Sequence, residues 1–273
     1  MKKTVFLAAL LATAGLVRAA IQPISGENVV GFKSVAAPAD ANTIITVPFE
    51  ACLGGGAAGK LSDLVAVNGL VSHASDPAQA DQLVVLTTNG TDLVYYYYFY
   101  ETGVGWTAIT SSQLMPDGSS EAVTPPAAAS FDIARGLGFW IKRPAGAGST
   151  LYVKGQVATG LQSTEIREGL NLVGYGTVES FTLNDSGIDW TGAYGGTGNT
   201  RTSDKILVVE ADGSFTEYFY FEKPDGWPEG YNAIDNKWIK SDYTAATATI
   251  PAGRGFWYLR RGAGAFNFQP DGN

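Results

Sequence analysis

The sequence predicts an all-β protein made of two tandem, duplicated modules, each a β-sandwich or half-open barrel, behind a cleaved signal peptide. Three observations predict this organisation. Runs of about four to eight β-branched and aromatic residues alternate with Gly, Pro and Asx-Gly along nearly the whole chain, which is the all-β pattern. Similar blocks recur in the two halves. The N-terminus has the composition of an export signal.

Residues 1–19 have the three parts of a secretory signal. Lys2 and Lys3 form a basic start, residues 4–17 form an apolar run, and Val17 and Ala19 place small side chains at −3 and −1. Cleavage is expected after Ala19, or one residue later. The apolar run is shorter than the roughly 20 residues that a membrane-spanning helix needs. We therefore predict an exported protein that is extracellular or at the cell surface, with the periplasm less favoured.

Three blocks recur in the same order and indicate the duplication. The central blocks read strand, tight turn, aromatic strand in both halves, with Asn89-Gly90 and Asp212-Gly213 as the turns. The spacing drifts only through Gly- and Pro-rich stretches, where insertions are tolerated. The recurring blocks are residues 44–49 with 170–175, 81–85 with 204–208, and 133–141 with 250–258.

The strands between these blocks set the predicted boundaries. Residues 28–35 precede the first block, and residues 150–157 hold the same position before the second. The second of these strands also follows the last hairpin of module 1. We expect it to serve both modules and to leave an unmatched strand at each chain end. The predicted domains are the signal peptide 1–19, module 1 at 20–157 and module 2 at 158–273.

Two motifs of module 2 resemble a known pattern. Residues 169–175 read Gly-Leu-Asn-Leu-Val-Gly-Tyr, and residues 251–257 read Pro-Ala-Gly-Arg-Gly-Phe-Trp. They resemble the "GWNLVGYP … PGKGYWI" β modules of bacterial secreted and surface proteins, of which module 1 keeps Gly-Phe-Trp-Ile at 138–141. The resemblance implies a bacterial, extracellular and non-catalytic protein from a mostly uncharacterised family.

Charge and cysteine content exclude several partners. The net charge is −8, and loss of three cationic residues with the signal makes the chain more acidic. Binding to nucleic acid is therefore not expected, and anionic lipid headgroups are disfavoured. No later segment is long and apolar enough for membrane insertion. Cys52 is the only cysteine, so no intrachain disulfide forms, and we expect a small buried side chain.

No catalytic set is predicted, and the chain is not expected to be an enzyme. His73, the only histidine, lies in a loop without nucleophile-elbow glycines, which disfavours a serine triad. One histidine and one cysteine are too few for an ordinary zinc site. Glu210, Glu217 and Glu222 are the candidates for a glycosidase pair. Their equivalents in module 1 are not acidic, so solvent-facing strand positions explain them more simply.

No cofactor is expected, and calcium is the one ion that the sequence leaves open. Oxygen-rich loops of module 2 contain the candidate ligands Asp185, Asp189 and Asp235. Carboxylate and amide oxygens are the ligands that calcium prefers. Neither loop matches a complete EF-hand.

The aromatic strands have two interpretations. Residues 95–100 read Tyr-Tyr-Tyr-Tyr-Phe-Tyr, and residues 218–221 read Tyr-Phe-Tyr-Phe. Because side chains alternate along a strand, both faces carry rings. The favoured interpretation buries one face in the core and the other against the neighbouring module. The alternative is a sugar-stacking surface, completed by Trp106, Trp190, Trp227 or Trp238.

Two functional hypotheses follow. The first is a self-associating structural subunit of an extracellular assembly, such as a filament, surface layer or sheath. An unpaired strand is a template for another chain, so residues 20–35 are the predicted donor, with Val29, Val30, Phe32 and Val35 as assembly residues. The alternative is a carbohydrate-binding or adhesive surface protein that uses exposed aromatic rings.

Overall fold

The computed structural model describes residues 30–40, 42–47, 59–62, 70–89, 92–115, 118–133, 136–146, 148–156, 163–174, 180–184, 188–210 and 214–270. It confirms the predicted all-β class, because these residues form several antiparallel sheets, none of them closed into a barrel. Short 3₁₀ helices lie at Pro77–Gln79, Gly196–Gly198 and Glu229–Ile234. The predicted signal segment and Cys52 lie outside the described residues.

The first half of the chain forms strands β1 to β11. They are β1 Val30–Ala37, β2 Asn42–Thr46, β3 Gly59–Lys60, β4 Gln82–Asn89, β5 Asp92–Glu101, β6 Gly105–Ile109, β7 Ser111–Leu114, β8 Ser120–Val123, β9 Asp132–Ile133, β10 Gly138–Lys142 and β11 Ser149–Gln156.

The second half forms strands β12 to β21. They are β12 Thr164–Ile166, β13 Gly169–Gly174, β14 Phe181–Thr182, β15 Ile188–Asp189, β16 Lys205–Val209, β17 Phe215–Phe221, β18 Lys237–Ile239, β19 Thr249–Ile250, β20 Gly255–Arg260 and β21 Phe266–Pro270.

Each half builds a five-stranded antiparallel sheet with the same strand order. The order is β2-β10-β4-β5-β6 in the first sheet and β13-β20-β16-β17-β18 in the second sheet. Trp140 pairs with Ile44, and Trp257 pairs with Leu172. Ile44 therefore corresponds to Leu172 in the structure. The repeat of residues 44–49 with 170–175 predicts Leu170 as its equivalent, which is two residues earlier. A shift of two residues keeps every side chain on the same face, because the strand period is two.

The aromatic strands fill a separate core in each half. Tyr98 of β5 is fully buried with Phe139 in the first core, and Trp238 is fully buried in the second. Burial of one such ring stabilises the fold by about 1.5–3 kcal/mol. The expectation that the other face of both strands lies against the neighbouring module is wrong for β17. Phe219 and Phe221 on that face are covered by aromatic side chains from residues 227–243 of their own half.

A buried ion pair ties β4 to β10 in the first half and β16 to β20 in the second. Arg143 Nε lies 3.1 Å from Asp81 Oδ1, with both side chains fully buried, and Arg260 Nη1 lies 2.7 Å from Asp204 Oδ2. Burial raises the pKa of Asp81, while the Val71 N–H and Arg143 oppose that shift. Buried charges of this kind persist only while each has its partner.

Asp204 is the centre of the denser of these two networks. Besides Arg260, its carboxylate accepts a hydrogen bond of 2.8 Å from the Tyr258 hydroxyl. It also accepts from the backbone N–H groups of Tyr194, Arg261 and Gly262. Burial, followed by the Asp204 charge, raises the pKa of Tyr258 far above its ordinary value. The network fixes the end of β20 and the loop after it to the start of β16.

Backbone hydrogen bonds join the two sheets. The Thr46 N–H donates to the Gly253 carbonyl at 3.0 Å, and the Gly174 N–H donates to the Gly136 carbonyl at 2.8 Å. Thr46 and Gly174 hold the same register position in their sheets. The two contacts are therefore related by an approximate two-fold axis.

Aromatic packing closes this junction. The rings of Trp140 and Trp257 meet edge to face with centroids 4.8 Å apart, a favourable geometry for an aromatic pair. Glycine is required beside them, because a Cβ at Gly255 would lie 2.6 Å from Ile44 Cγ2 and from the Val173 carbonyl.

The terminal strands are paired within each half, so the prediction of a shared linking strand is wrong. β1 pairs with β11 from Val30 opposite Gln156 to Ala37 opposite Ser149. In the second half β12 pairs with β21. β1 therefore has its partner in the last strand of the first half, and β21 has a partner in the first strand of the second half.

Candidate functional site

The predicted assembly residues belong to a strand that is already paired. Val30 and Phe32 lie in β1 opposite Gln156 and Lys154, and Val35 is 3 % exposed in the first core. Val29 lies outside the described residues. Of the predicted donor segment, residues 30–35 are therefore engaged with β11, and residues 20–29 lie outside the described residues.

Strand β6 forms an edge of the first sheet, and backbone groups on its outer side have no partner within the described part of the chain. The Tyr100 N–H donates towards β4, to the Asp81 carbonyl, whereas the Tyr95 N–H turns to the opposite side. The backbone N–H and C=O groups of successive residues point to alternate sides of an antiparallel strand. The backbone groups of the odd-numbered residues of β5 therefore form the hydrogen bonds to β6. Trp106 and Ala108 lie opposite even-numbered residues. Their N–H and C=O groups point away from the sheet and have no partner among the described residues.

The equivalent edge in the second sheet is closed by the chain itself. Trp238 lies opposite Tyr220, as Trp106 lies opposite Tyr100. The Trp238 N–H donates to Asn184 Oδ1 at 2.8 Å, and its carbonyl accepts from Asn184 Nδ2 at 2.9 Å. The Ala246 N–H donates to the same carbonyl at 2.8 Å. One side-chain amide thus takes the place of a neighbouring strand.

A second amide closes β5 where β6 departs from it. Beyond Ile109, which lies opposite Tyr97, the next outward groups of β5 belong to Tyr95. The Tyr95 N–H donates to Gln113 Oε1 at 2.8 Å, and Gln113 Nε2 donates to the Tyr95 carbonyl. Edge positions of β5 and β18 are therefore capped, and the β6 positions Trp106 and Ala108 are not capped within the described residues.

The tryptophans predicted for glycan binding lie mostly inside the second half. Trp190 and Trp238 are 8 % and 0 % exposed, and the Trp190 ring stacks on Phe268 with centroids 4.9 Å apart. Trp227 is half-buried and packs against Phe221 and neighbouring rings. Trp190 and Trp238 therefore do not form the exposed stacking surface that the prediction requires.

A polar cleft of about 370 Å³ opens beside β15 and β18. Tyr220 and Trp190 line it together with Ile188, Asn236 and Lys237. Tyr220 is 7 % exposed, and its hydroxyl has no hydrogen-bond partner in the described part of the chain. Lys237 Nζ donates to a backbone carbonyl of the preceding 3₁₀ helix at 2.9 Å, which holds the ammonium at the rim.

Three carboxylates act electrostatically on the Tyr220 hydroxyl. Burial, followed by the charges of Glu222, Asp235 and Asp189, raises the pKa of Tyr220 to about 12. Asp189 accepts hydrogen bonds from Thr191, which lower the pKa of Asp189. At neutral pH the cleft therefore presents a protonated phenol between anionic groups.

Two of the three predicted calcium ligands, Asp189 and Asp235, lie within the described residues, and each has a local hydrogen-bond partner. Asp235 Oδ1 accepts from the Lys223 N–H at 2.7 Å, and Asp189 is engaged by Thr191. Asp185 lies outside the described residues. Within the described ranges, no group of three or more His, Cys, Asp or Glu side chains could hold a metal ion.

The residues considered for catalysis have local structural contacts. His73 Nδ1 accepts from the backbone N–H groups of Ser75 and Asp76, which shapes the loop before the first 3₁₀ helix. Glu217 pairs with Lys205 at 2.9 Å across β16 and β17. Both contacts stabilise the fold locally.

No family model, curated protein or solved structure matches this chain. The resemblance to the bacterial surface modules therefore stays a prediction. Among the helices of the described residues, none is long and apolar enough to cross a membrane.

Several residues of these sites escaped the sequence interpretation. Gln113 gives no local signal, because its role depends on where β6 leaves β5. Asn184 follows a Leu that repeats Leu61 of the first half, and this repeat is the one cue to its position. The sequence predicts Tyr220 only as part of an aromatic core strand, and it gives no separate signal for Lys237.

Proposed function

We propose that this protein is an exported, non-catalytic structural subunit of an extracellular filament, surface layer or sheath, whose copies join by strand addition. The observation that carries the proposal is the outer edge of β6, where the N–H and C=O groups of Trp106 and Ala108 have no partner among the described residues. Ala108 is partly exposed there, whereas Trp106 as a whole is only 5 % exposed. The same position in the second sheet is covered by Asn184 and Ala246. An open edge offers its N–H and C=O groups to an extended segment of another chain.

The donor that we propose is the segment before β1, residues 20–29 of a second copy. It contains the apolar residues Ile21, Ile24 and Val29. The described ladder between β1 and β11 runs from Val30 to Ala37, and the proposed donor consists of the residues before it. Such a head-to-tail contact joins two different surfaces and therefore propagates into a chain of copies.

A tandem duplication accounts for the likeness of the two halves. It is supported by the common strand order, the paired Asp–Arg positions and the two-fold junction. In this proposal the first half kept an open edge for assembly, while the second half closed the same edge with Asn184.

The direct test compares two chains under the same conditions, one starting at Ala20 and one starting at Val30. We expect the longer chain to form polymers by negative-stain microscopy and light scattering, and the shorter chain to stay monomeric. A synthetic peptide of residues 20–29 should bind the shorter chain and stop growth of polymers of the longer one. Polymers formed by the chain that starts at Val30 would falsify the donor role of residues 20–29.

The acceptor edge is tested at Ala108. Ala108→Pro removes an outward N–H that has no bond in the described structure, and proline is tolerated at such edge positions. We expect this variant to fold and to lose polymerisation. Ala108→Ser keeps the N–H and is the matched control, which should polymerise like the unchanged chain. Equal polymerisation by both variants would show that β6 is not the acceptor.

A further inference from the structure

We infer that the cleft beside β15 and β18 binds one neutral sugar residue of a surface glycan. The inference rests on the second half alone and does not depend on strand exchange at β6. It differs from the stacking platform predicted from the sequence, because the recognition groups are Tyr220, Lys237 and Asn236 rather than open tryptophan faces.

The Tyr220 hydroxyl is the central observation. Two other buried tyrosines donate their hydroxyls inside the protein, Tyr98 to the Pro126 carbonyl and Tyr258 to Asp204, whereas the hydroxyl of the buried Tyr218 has no partner among the described residues. Tyr220 is as buried as a core residue, yet its hydroxyl has no partner among the described residues and lines the cleft. The hydroxyl is not one of the fully enclosed polar atoms that lack a partner, so it opens into the cleft and can donate and accept there. A hydroxyl group of a ligand in the cleft would satisfy it.

The charges around the cleft select a neutral ligand. Glu222, Asp235 and Asp189 act on the Tyr220 hydroxyl, so a phosphate or sulfate would be repelled. Lys237 has used one of its three N–H donors on a backbone carbonyl, and the remaining two can donate to ring oxygens. The cleft thus presents the Tyr220 hydroxyl, which donates and accepts, beside the Lys237 ammonium, which donates. Both match the hydroxyls of a sugar, since each sugar hydroxyl can donate and accept.

The shape of the cleft agrees with this chemistry. Ile188 and Trp190 give it an apolar wall, against which the C–H face of a pyranose ring packs. The volume of about 370 Å³ lies at the lower end of the range for small-molecule sites. This size fits one sugar residue.

The experiment titrates the chain from Ala20 with the methyl glycosides of glucose, galactose, mannose and N-acetylglucosamine, and separately with calcium chloride. Calorimetry and saturation-transfer NMR measure binding. We compare Tyr220→Phe with Tyr100→Phe, the matched control at the same register position of the first sheet. We expect saturable binding of at least one glycoside, about tenfold weaker in Tyr220→Phe and unchanged in Tyr100→Phe.

Tyr220→Phe keeps the ring that packs on Trp238 and removes no hydrogen bond that the described residues make, so it should melt like the unchanged protein. If it does not fold, Lys237→Met decides the question, and we expect it to weaken the same glycoside. The inference is overturned if none of the four glycosides saturates the protein, if both tyrosine variants bind equally well, or if calcium saturates the cleft and the glycosides do not.

Discussion

Replacement of Asp204 by Asn tests whether the buried network of the second half stabilises the fold as its geometry implies. The Asp204 side chain is fully buried, and its partner Arg260 is 7 % exposed. Asn removes the charge and leaves a buried guanidinium without its counterion, which costs about 3–5 kcal/mol. Asn also has only one acceptor oxygen. The donors that now bond one of the two carboxylate oxygens would therefore face an NH₂ group. The loss is a large fraction of the roughly 5–15 kcal/mol that typically holds a domain folded.

Urea unfolding followed by tryptophan fluorescence measures this loss as a shift of the midpoint at constant slope. Asp225→Asn is the control, because it makes the same change of charge at an exposed position and should leave the midpoint in place. A free energy of unfolding for Asp204→Asn within about 1 kcal/mol of that of the unchanged protein would refute the reasoning, since a surface ion pair contributes no more than that.

Two further predictions concern the junction and the tyrosines. Gly255→Ala should destabilise the protein by about 1–3 kcal/mol in the same urea assay, as overpacking does, because the new Cβ would overlap Ile44 and a backbone carbonyl. Gly230→Ala is the control, because the space around Gly230 is open. Equal urea midpoints for the two variants would contradict the packing described. Folding raises the pKa of Tyr220 from 10.0 to about 12, so its contribution to stability is complete below pH 10 and is lost as pH rises towards 12. Urea midpoints measured up to pH 11 should fall less steeply in Tyr220→Phe, and equal slopes would contradict the assigned pKa.

The fold class was predictable because it depends on local patterns. Strands are indicated by signals that are local in the sequence: β-branched and aromatic runs, the glycines between them and the recurring Gly-Phe-Trp motif. The register was less secure. Asn89 pairs with Asp92 and so ends strand β4, rather than lying in the turn as the Asn-Gly signal predicted. Local propensity places a hairpin, but side-chain packing across the ladder decides the residue at which it turns.

Long-range features were not predictable from single motifs. Asp81 and Arg143 meet only because β4 and β10 are neighbours in the sheet. A signal for the pair was present, since Asp204 and Arg260 recur in the second half, each Arg three residues after the Trp of its Gly-Phe-Trp motif. The cleft had no such signal, because Tyr220, Lys237 and Ile188 are brought together from three separate strands.

The pairing of the terminal strands has a mechanical consequence. In the ladder of β1 with β11, Val30 lies opposite Gln156, so the chain enters and leaves the ladder at the same end. In the second half Thr164 lies opposite Phe268, which gives the same arrangement. Tension applied through the chain ends would therefore unzip these ladders one bond at a time instead of shearing all bonds together. In the proposed head-to-tail polymer, force would enter a subunit through residues 20–29 and leave it at the outer edge of β6, so the chain end after β21 would carry no load.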